Sequence, residues 1–317
     1  MEKPVIFPTP DAAASTSDSL QHDDPWRALR RFTNARIALG RTGDSLPTRP
    51  LLAFNLSHAQ ARDAVHQTLD TSALAADLSQ AGHRTIQVCS AAPDREHYLR
   101  RPDMGRRLSD ASVQALRDLH RHDDGARSPA AKNSRNYIDT PNTADSGDAH
   151  DGPDIVFVIG DGLSAYAGAR HAVPFLQAIC ARLNDWKIGP VVIATQARVA
   201  LADGVGEILG AKIVVMLIGE RPGLSSPDSL GIYLTYAPHI GVSDADRNCI
   251  SNVRPEGLSY DVAAFKLAYL LNEARRLGLT GVSLKDDSDH LLAAMTEQPT
   301  DTESLTNAKR AVRASPP

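Results

Sequence analysis

Three continuous apolar runs constrain this chain more than any other feature: Ile155–Gly160 (IVFVIG), Pro190–Thr195 (PVVIAT) and Lys212–Gly219 (KIVVMLIG). A strand that is apolar at every position is buried on both faces, as in a parallel sheet covered by helices. Between the runs lie segments of helical period, Val173–Leu183 and Ala200–Leu209, the second stopped by Gly210. Leu230–Tyr236 (LGIYLTY) and Cys249–Val253 (CISNV) read as further strands. Ser259 is placed to cap a long helix through Leu277, with Gly278 at its stop. This alternation predicts an α/β domain over residues 154–286, Rossmann-like, with a mainly parallel sheet and helices on both faces.

The part before it, residues 24–120, reads as a mostly helical N-terminal domain. Trp26, Leu29, Phe32 and Ile37 fall on one arc of Trp26–Leu39, in a helix that starts after Asp24 with Pro25 as a first-turn residue. Pro47 and Pro50 predict an extended stretch, Ser57–Leu78 one or two helices, Thr85–Ser90 a short strand, and Asp110–Leu119 a helix. Three segments have too few large apolar side chains to offset the entropy of ordering them. Residues 1–23 and 287–317 are therefore expected to be disordered tails, and residues 121–153 a flexible insertion or linker.

Composition excludes several classes. A net charge of −4 leaves no global footprint for nucleic acid. No apolar run approaches the roughly 18–20 residues of a membrane span. The N-terminus lacks the basic start and apolar stretch of a secretory signal, so a cytoplasmic protein is expected. The three cysteines, Cys89, Cys180 and Cys249, are far apart and read as reduced thiols. The histidines show no metal-ligand spacing, and neither GxSxG nor a Walker-type loop occurs. The expectation is a ligand-binding domain with no catalytic constellation of its own and no metal ligands.

Loops after parallel strands are where such sheets meet ligands. Gly160-Asp161-Gly162-Leu163-Ser164-Ala165 formally matches GxGxxA, which would suit a dinucleotide. The next strand ends Ile193-Ala194-Thr195-Gln196 without the acid that would hold a ribose, so a tight turn needed for packing is the simpler reading. Glu220 leaves the end of an apolar strand in Gly219-Glu220-Arg221-Pro222-Gly223. Its carboxylate could serve a ligand, cap a helix or pair with Arg221. Cys249 begins a strand in Asp246-Arg247-Asn248-Cys249-Ile250-Ser251-Asn252, where a buried thiol is the default.

Several blocks carry a family resemblance. Leu29–Pro50 (LRRFTNARIALGRTGDSLPTRP) and Tyr98–Leu108 (YLRRPDMGRRL) resemble the N-terminal signatures of ethanolamine ammonia-lyase small subunits. DGLS at Asp161–Ser164, GEILGAK at Gly206–Lys212, GERPGL at Gly219–Leu224 and DRNCISN at Asp246–Asn252 follow in the family's order. The resemblance implies a small subunit that catalyses nothing alone. It would bind adenosylcobalamin against a large TIM-barrel subunit, which would hold ethanolamine and convert it to acetaldehyde and ammonia. It also implies cofactor contacts at Val199, Glu220 and Cys249, with the cofactor's own base on cobalt. In the family an N-terminal encapsulation signal can direct the enzyme to a bacterial microcompartment, but residues 1–23 offer no clear amphipathic helix. The competing readings are a stand-alone Rossmann oxidoreductase and a structural partner subunit that scarcely touches a cofactor.

Overall fold

A computed structural model describes residues 21–22, 24–126 and 152–297. The expectations for residues 1–20, 127–151 and 298–317 lie outside the described residues. The chain divides into two compact units, Met1–Ala59 and Gln60–Pro317.

In the first unit, two short strands, β1 (Gln21–His22) and β2 (Arg41–Thr42), pair antiparallel. Between them Pro25–Phe32 forms a 3-10 helix rather than the longer α-helix expected over Trp26–Leu39. Asp24 caps it, accepting from the Trp26 amide at 2.8 Å, and Thr33 ends it in extended backbone. Of the expected apolar arc, Trp26, Leu29 and Phe32 share this helix while Ile37 lies beyond it, and the three are exposed, Trp26 at 55% and Phe32 at 72%. Helix α1 (Thr48–His66) begins where prolines had predicted extended chain. Pro50 lies in its first turn, where the missing N–H has no helical partner to lose.

The second unit is built on a six-stranded sheet of order β3-β5-β4-β6-β7-β8. Its strands are β3 (Thr85–Cys89), β4 (Ile155–Gly160), β5 (Val191–Thr195), β6 (Ile213–Gly219), β7 (Leu230–Tyr236) and β8 (Asn248–Val253). The first four in the sheet are mutually parallel, while β7 and β8 join antiparallel. Strand β3 comes from the segment read as a helical N-terminal domain, yet it is the sheet's edge strand. Its five residues carried too little periodicity to reveal where they would pair.

Helices cover both faces. On one, α6 (Ala165–Cys180) and α8 (Tyr260–Leu277) pack on Ile155, Phe157 and Ile159, on Val215 and Leu217, and on Ile232 and Leu234. On the other, α5 (Asp110–Ala126) and α7 (Leu201–Ile208) pack on Val156, Val158, Val192, Val214 and Met216. Helix α2 (Thr71–Gln80) joins the first layer through Leu74 and Leu78. Gly278, at φ +69, stops α8 in the left-handed conformation that favours glycine.

Three expectations need correcting. Helix α6 starts eight residues before Val173, because Pro174 sits inside it rather than at its start. Helix α5 continues to Ala126, into the stretch expected to be flexible. Helix α9 (Ser288–Glu297) occupies part of the expected C-terminal tail. The last is nucleated by polar contacts that hydrophobic pattern cannot reveal. Lys266 on α8 reaches Asp289 at 2.6 Å and Ser288 at 3.2 Å, and the Ser288 amide donates to Asp286 at 3.0 Å. Among the described residues, no helix is long and apolar enough to cross a membrane.

Candidate functional site

The helices after β4 and β5 leave to opposite faces of the sheet, which opens a crevice between the two strand ends. The chain fills that crevice itself. Asp161, in the turn after β4, is buried and accepts from the amides of Gln196 at 2.9 Å and Ala197 at 3.0 Å. Arg95, on α3 (Arg95–Arg100), donates to the same carboxylate at 3.2 Å. Burial pushes the Asp161 carboxyl up, against the opposing pull of Arg95 and the amides. Gly162 stands at φ +54 with its α-carbon against β6, where a methyl group would strike the carbonyl of Gly219. Its neighbour Leu163 donates to that carbonyl at 2.9 Å. The GxGxxA match is therefore a packing turn. A buried carboxylate occupies the backbone amides at the crevice, the donors that a dinucleotide's pyrophosphate would need.

Tyr98 completes this plug. It is fully buried, donates to the Ala197 carbonyl at 3.1 Å, and burial raises its hydroxyl to about 12. The guanidinium carbons of Arg95 and Arg198 lie 4.6 and 4.5 Å from its ring centroid. Gly105, ending α4 (Pro102–Gly105), rests on the stack. A methyl there would sit 2.9 Å from Arg198 Cγ and 3.0 Å from the Tyr98 ring. The Arg198 amide donates to the Gly105 carbonyl at 2.8 Å. The YLRRPDMGRRL block is thus what closes the crevice between β4 and β5.

Val199, the next residue, lies in the turn between β5 and α7, half-buried on the α5–α7 side of the sheet. One helical turn further, Asp203 forms a buried ion pair with Arg247, both side chains 2% exposed. Arg247 Nη2 donates to Asp203 at 2.8 Å and to the Val242 carbonyl at 2.8 Å, and Nη1 reaches Thr235 at 3.0 Å. This clamp draws the start of β8 towards α7 and sets the level of Cys249. Beside it runs a groove of about 890 Å³, lined among others by Leu108, Ala200, Gly204, Val242 and Ile240.

Beyond the clamp, no helix among the described residues covers the α5–α7 side of β7 and β8. Alternation puts Ile232 and Leu234 into the core, so Gly231, Tyr233 and Thr235 turn to the other side. Cys249 pairs directly with Tyr233 and is exposed, not buried as its sequence position suggested. Its thiol lies 3.4 Å from the Ser251 hydroxyl. The ladder is irregular between Leu230 and Ile232, opposite Asn252 at φ +60. The Asn252 amide donates to both oxygens of Glu220 at 3.3 Å. Ser229 also hydrogen-bonds Glu220 through its hydroxyl. Glu220 folds back over Gly231, where a side-chain carbon would stand 3.0 Å from Glu220 Oε1. The carboxylate therefore neither pairs with Arg221 nor caps a helix. Its oxygens have about four acceptor positions and retain capacity for a ligand's donors.

Glu220 and Cys249 thus flank one uncovered patch, and both act on Tyr233. Burial first, then the neighbouring Cys249 and Glu220, push the Tyr233 hydroxyl upward. Val199 lies on the same side of the sheet, after the carboxyl end of β5, with β4 and β6 standing between β5 and β7. Through Tyr233, Cys249 stands level with Met216, midway along β6 and away from the sheet's carboxyl edge. Sequence reasoning missed Tyr233, Gly231 and Arg198. The available signal was LGIYLTY itself, where glycine, tyrosine and threonine alternate with isoleucine and leucine.

Comparison with known proteins bears on what this patch serves. The family model described as Ethanolamine ammonia-lyase light chain (EutC) matches residues 23–285. The ethanolamine ammonia-lyase small subunit of Pseudomonas syringae pv. tomato is 52% identical over 273 residues, 86% of each chain. That of Ralstonia nicotianae is 52% identical over 268 residues, 84% of this chain and 90% of the relative. That of Pseudomonas aeruginosa is 50% identical over 282 residues, 88% and 91% of the two chains.

Proposed function

The chain belongs to the ethanolamine ammonia-lyase light chain family, small subunits of a lyase complex, and on that premise we propose that its own task is to seat adenosylcobalamin against the large subunit. The observation that carries this reading is the uncovered side of β7 and β8, with Glu220 and Cys249 on either side of Tyr233. A corrin is broad, apolar on its faces and fringed with amide side chains. Tyr233 and Val199 offer apolar contact, and Glu220, held by Ser229 and Asn252, offers a fixed acceptor for amide donors. Cys249 adds a small polarizable surface, and we assign it no bond to cobalt.

When bound, adenosylcobalamin supplies a weak cobalt–carbon bond that starts radical chemistry. The large subunit, a TIM barrel by family resemblance, would hold ethanolamine and carry that chemistry to acetaldehyde and ammonia. The residues of this chain orient and enclose. The Arg247–Asp203 clamp holds β8 in place, and the Asp161 plug keeps the carboxyl edge rigid beneath Val199. We read the sheet as Rossmann-like, with α6 and α7 leaving the ends of adjacent strands to opposite faces. The exposed apolar side chains of the first unit, among them Trp26, Phe32, Leu52 and Leu56, support a permanent protein partner.

The test is equilibrium binding of adenosylcobalamin to the two-subunit complex, followed by its visible spectrum. Glu220→Ala should weaken binding roughly tenfold, the scale of a charge-assisted hydrogen bond, with an unchanged spectrum of the bound form. Cys249→Ser should be milder. Unaltered binding in Glu220→Ala would remove the patch from the cofactor site, and shifted cobalt bands in Cys249→Ser would point to a thiolate ligand.

A further inference from the structure

Arg198 stands out among the cations of the second unit. Its Nε is buried with no hydrogen-bond partner, and its only side-chain interaction among the described residues is with the Tyr98 ring. Around it the polar groups are equally unfinished: Arg95 Nη2 and Gln196 Oε1 are buried and unpartnered too. Arg95 spends its other donors on Asp161 at 3.2 Å and on the Val65 carbonyl at 2.8 Å. The crevice thus carries two guanidinium charges against one carboxylate, and that carboxylate is already taken up by Arg95 and two amides. A buried donor without a partner keeps the cost of its lost hydration, so such a group calls for a partner from outside the chain. Gly105 is part of this arrangement, since any side chain there would push Arg198 off the ring.

We propose that Arg198, backed by Arg95, is the anchor for the phosphodiester of the cofactor's nucleotide loop. This rests on the cofactor reading above and extends it from the corrin patch to the neighbouring turn. The phosphodiester is the one anionic group of adenosylcobalamin, and a guanidinium matches it by charge and by its forked donors. Arg198 directly precedes Val199, so the turn between β5 and α7 would present apolar contact and a cationic anchor in consecutive residues. The Tyr98 ring holds the guanidinium in advance, which lowers the entropy lost on binding.

The experiment compares adenosylcobalamin with adenosylcobinamide, which lacks the nucleotide loop and its phosphodiester, as ligands of the two-subunit complex. Arg198→Ala should raise the Kd for adenosylcobalamin about tenfold or more and leave that for adenosylcobinamide unchanged. Arg198→Lys, which keeps the charge but loses the fork, should recover part of the difference. Co-purification with the large subunit and the circular dichroism of each variant establish that the complex is intact. Equal weakening of both ligands would make Arg198 structural and overturn the assignment, as would no change in either. Loss of assembly with Arg198→Ala, while Arg198→Lys assembles and changes the Kd for both ligands alike, would assign the guanidinium to a carboxylate of the large subunit and overturn the phosphodiester anchor. If the unaltered complex bound neither corrinoid, the cofactor reading itself would fall. If it bound both with equal affinity, only the phosphodiester anchor would.

Discussion

The two sides of the sheet are built on different terms. The α6–α8 side is covered from β5 through β8, and its side chains are buried at every strand. Among the described residues, the α5–α7 side is covered across β5, β4 and β6, then gives out at β7, leaving Tyr233 half-buried and Cys249 exposed. The sequence differs accordingly. Strands β4 and β6 are buried at every position, whereas β8 is buried only at Ile250 and Val253. An uncovered side of a sheet whose other side is a full core can take a ligand without costing the fold its packing. The tyrosine and thiol of β7 and β8 are therefore available for recognition, while their neighbours Ile232, Leu234 and Ile250 are not.

Breaking the border between these regions should have the largest effect. Arg247→Met leaves Asp203 charged and buried without its partner, a change of about 3–5 kcal/mol for ion pairs of this kind. The urea midpoint should fall accordingly, and the groove-side loop at Val242 should become accessible to protease. Cys249→Ser, two residues along, should leave the midpoint nearly unmoved. If both substitutions proved equally mild, the clamp would not divide core from open surface. A finer contrast lies within one strand. Leu234→Ala on the covered side should cost about 2–5 kcal/mol, the range for large-to-small core changes. Tyr233→Phe on the open side should cost less than about 1 kcal/mol, since it keeps the ring and removes one half-buried hydroxyl. Denaturation of both variants decides this, and a larger loss at Tyr233 would mean that the open side is core.

The sheet was legible because burial on two faces writes itself into consecutive residues. IVFVIG and KIVVMLIG could hardly be anything but central strands, and Leu230–Tyr236 was bounded correctly by its alternation. The edge strand β3 was seen, but its place in the sheet was not, because pairing over such a distance leaves no local trace. Helix α9 was missed for a related reason: its start depends on Lys266, Asp286 and Ser288, polar contacts made in three dimensions. At the site, Glu220 and Cys249 were singled out through loop position and family motif. The exposure of Cys249 was not, since a thiol at the start of a strand is buried more often than open. Asp161 stood in a motif and Arg95 in none, and nothing in their spacing of 66 residues indicated that they meet.

The smallest expected effect concerns the charged margin of the fully covered side. Asp154 stands just before β4 and accepts from the Lys187 amide at 3.0 Å. It also pairs with Lys212 at 2.9 Å and with Arg275 on α8 at 3.5 Å. Burial works against its charge, but the amide and the two cations outweigh it and hold the carboxyl below its ordinary value of 3.8. A carboxyl depressed on folding contributes stability above its unfolded pKa and loses it as pH falls through the folded value. Asp154→Asn should therefore cost about 0.2–1 kcal/mol near neutral pH, the range of partly exposed ion pairs. The gap from the unaltered chain should close as pH drops below about 4, once both chains carry a neutral side chain there. Urea midpoints at pH 7 and pH 3 measure it. A gap that persisted at pH 3 would trace the loss to hydrogen-bond geometry at the Lys187 amide. A gap at pH 7 as large as that of Leu234→Ala would show that the margin, and not the apolar layer beneath α8, holds that side together.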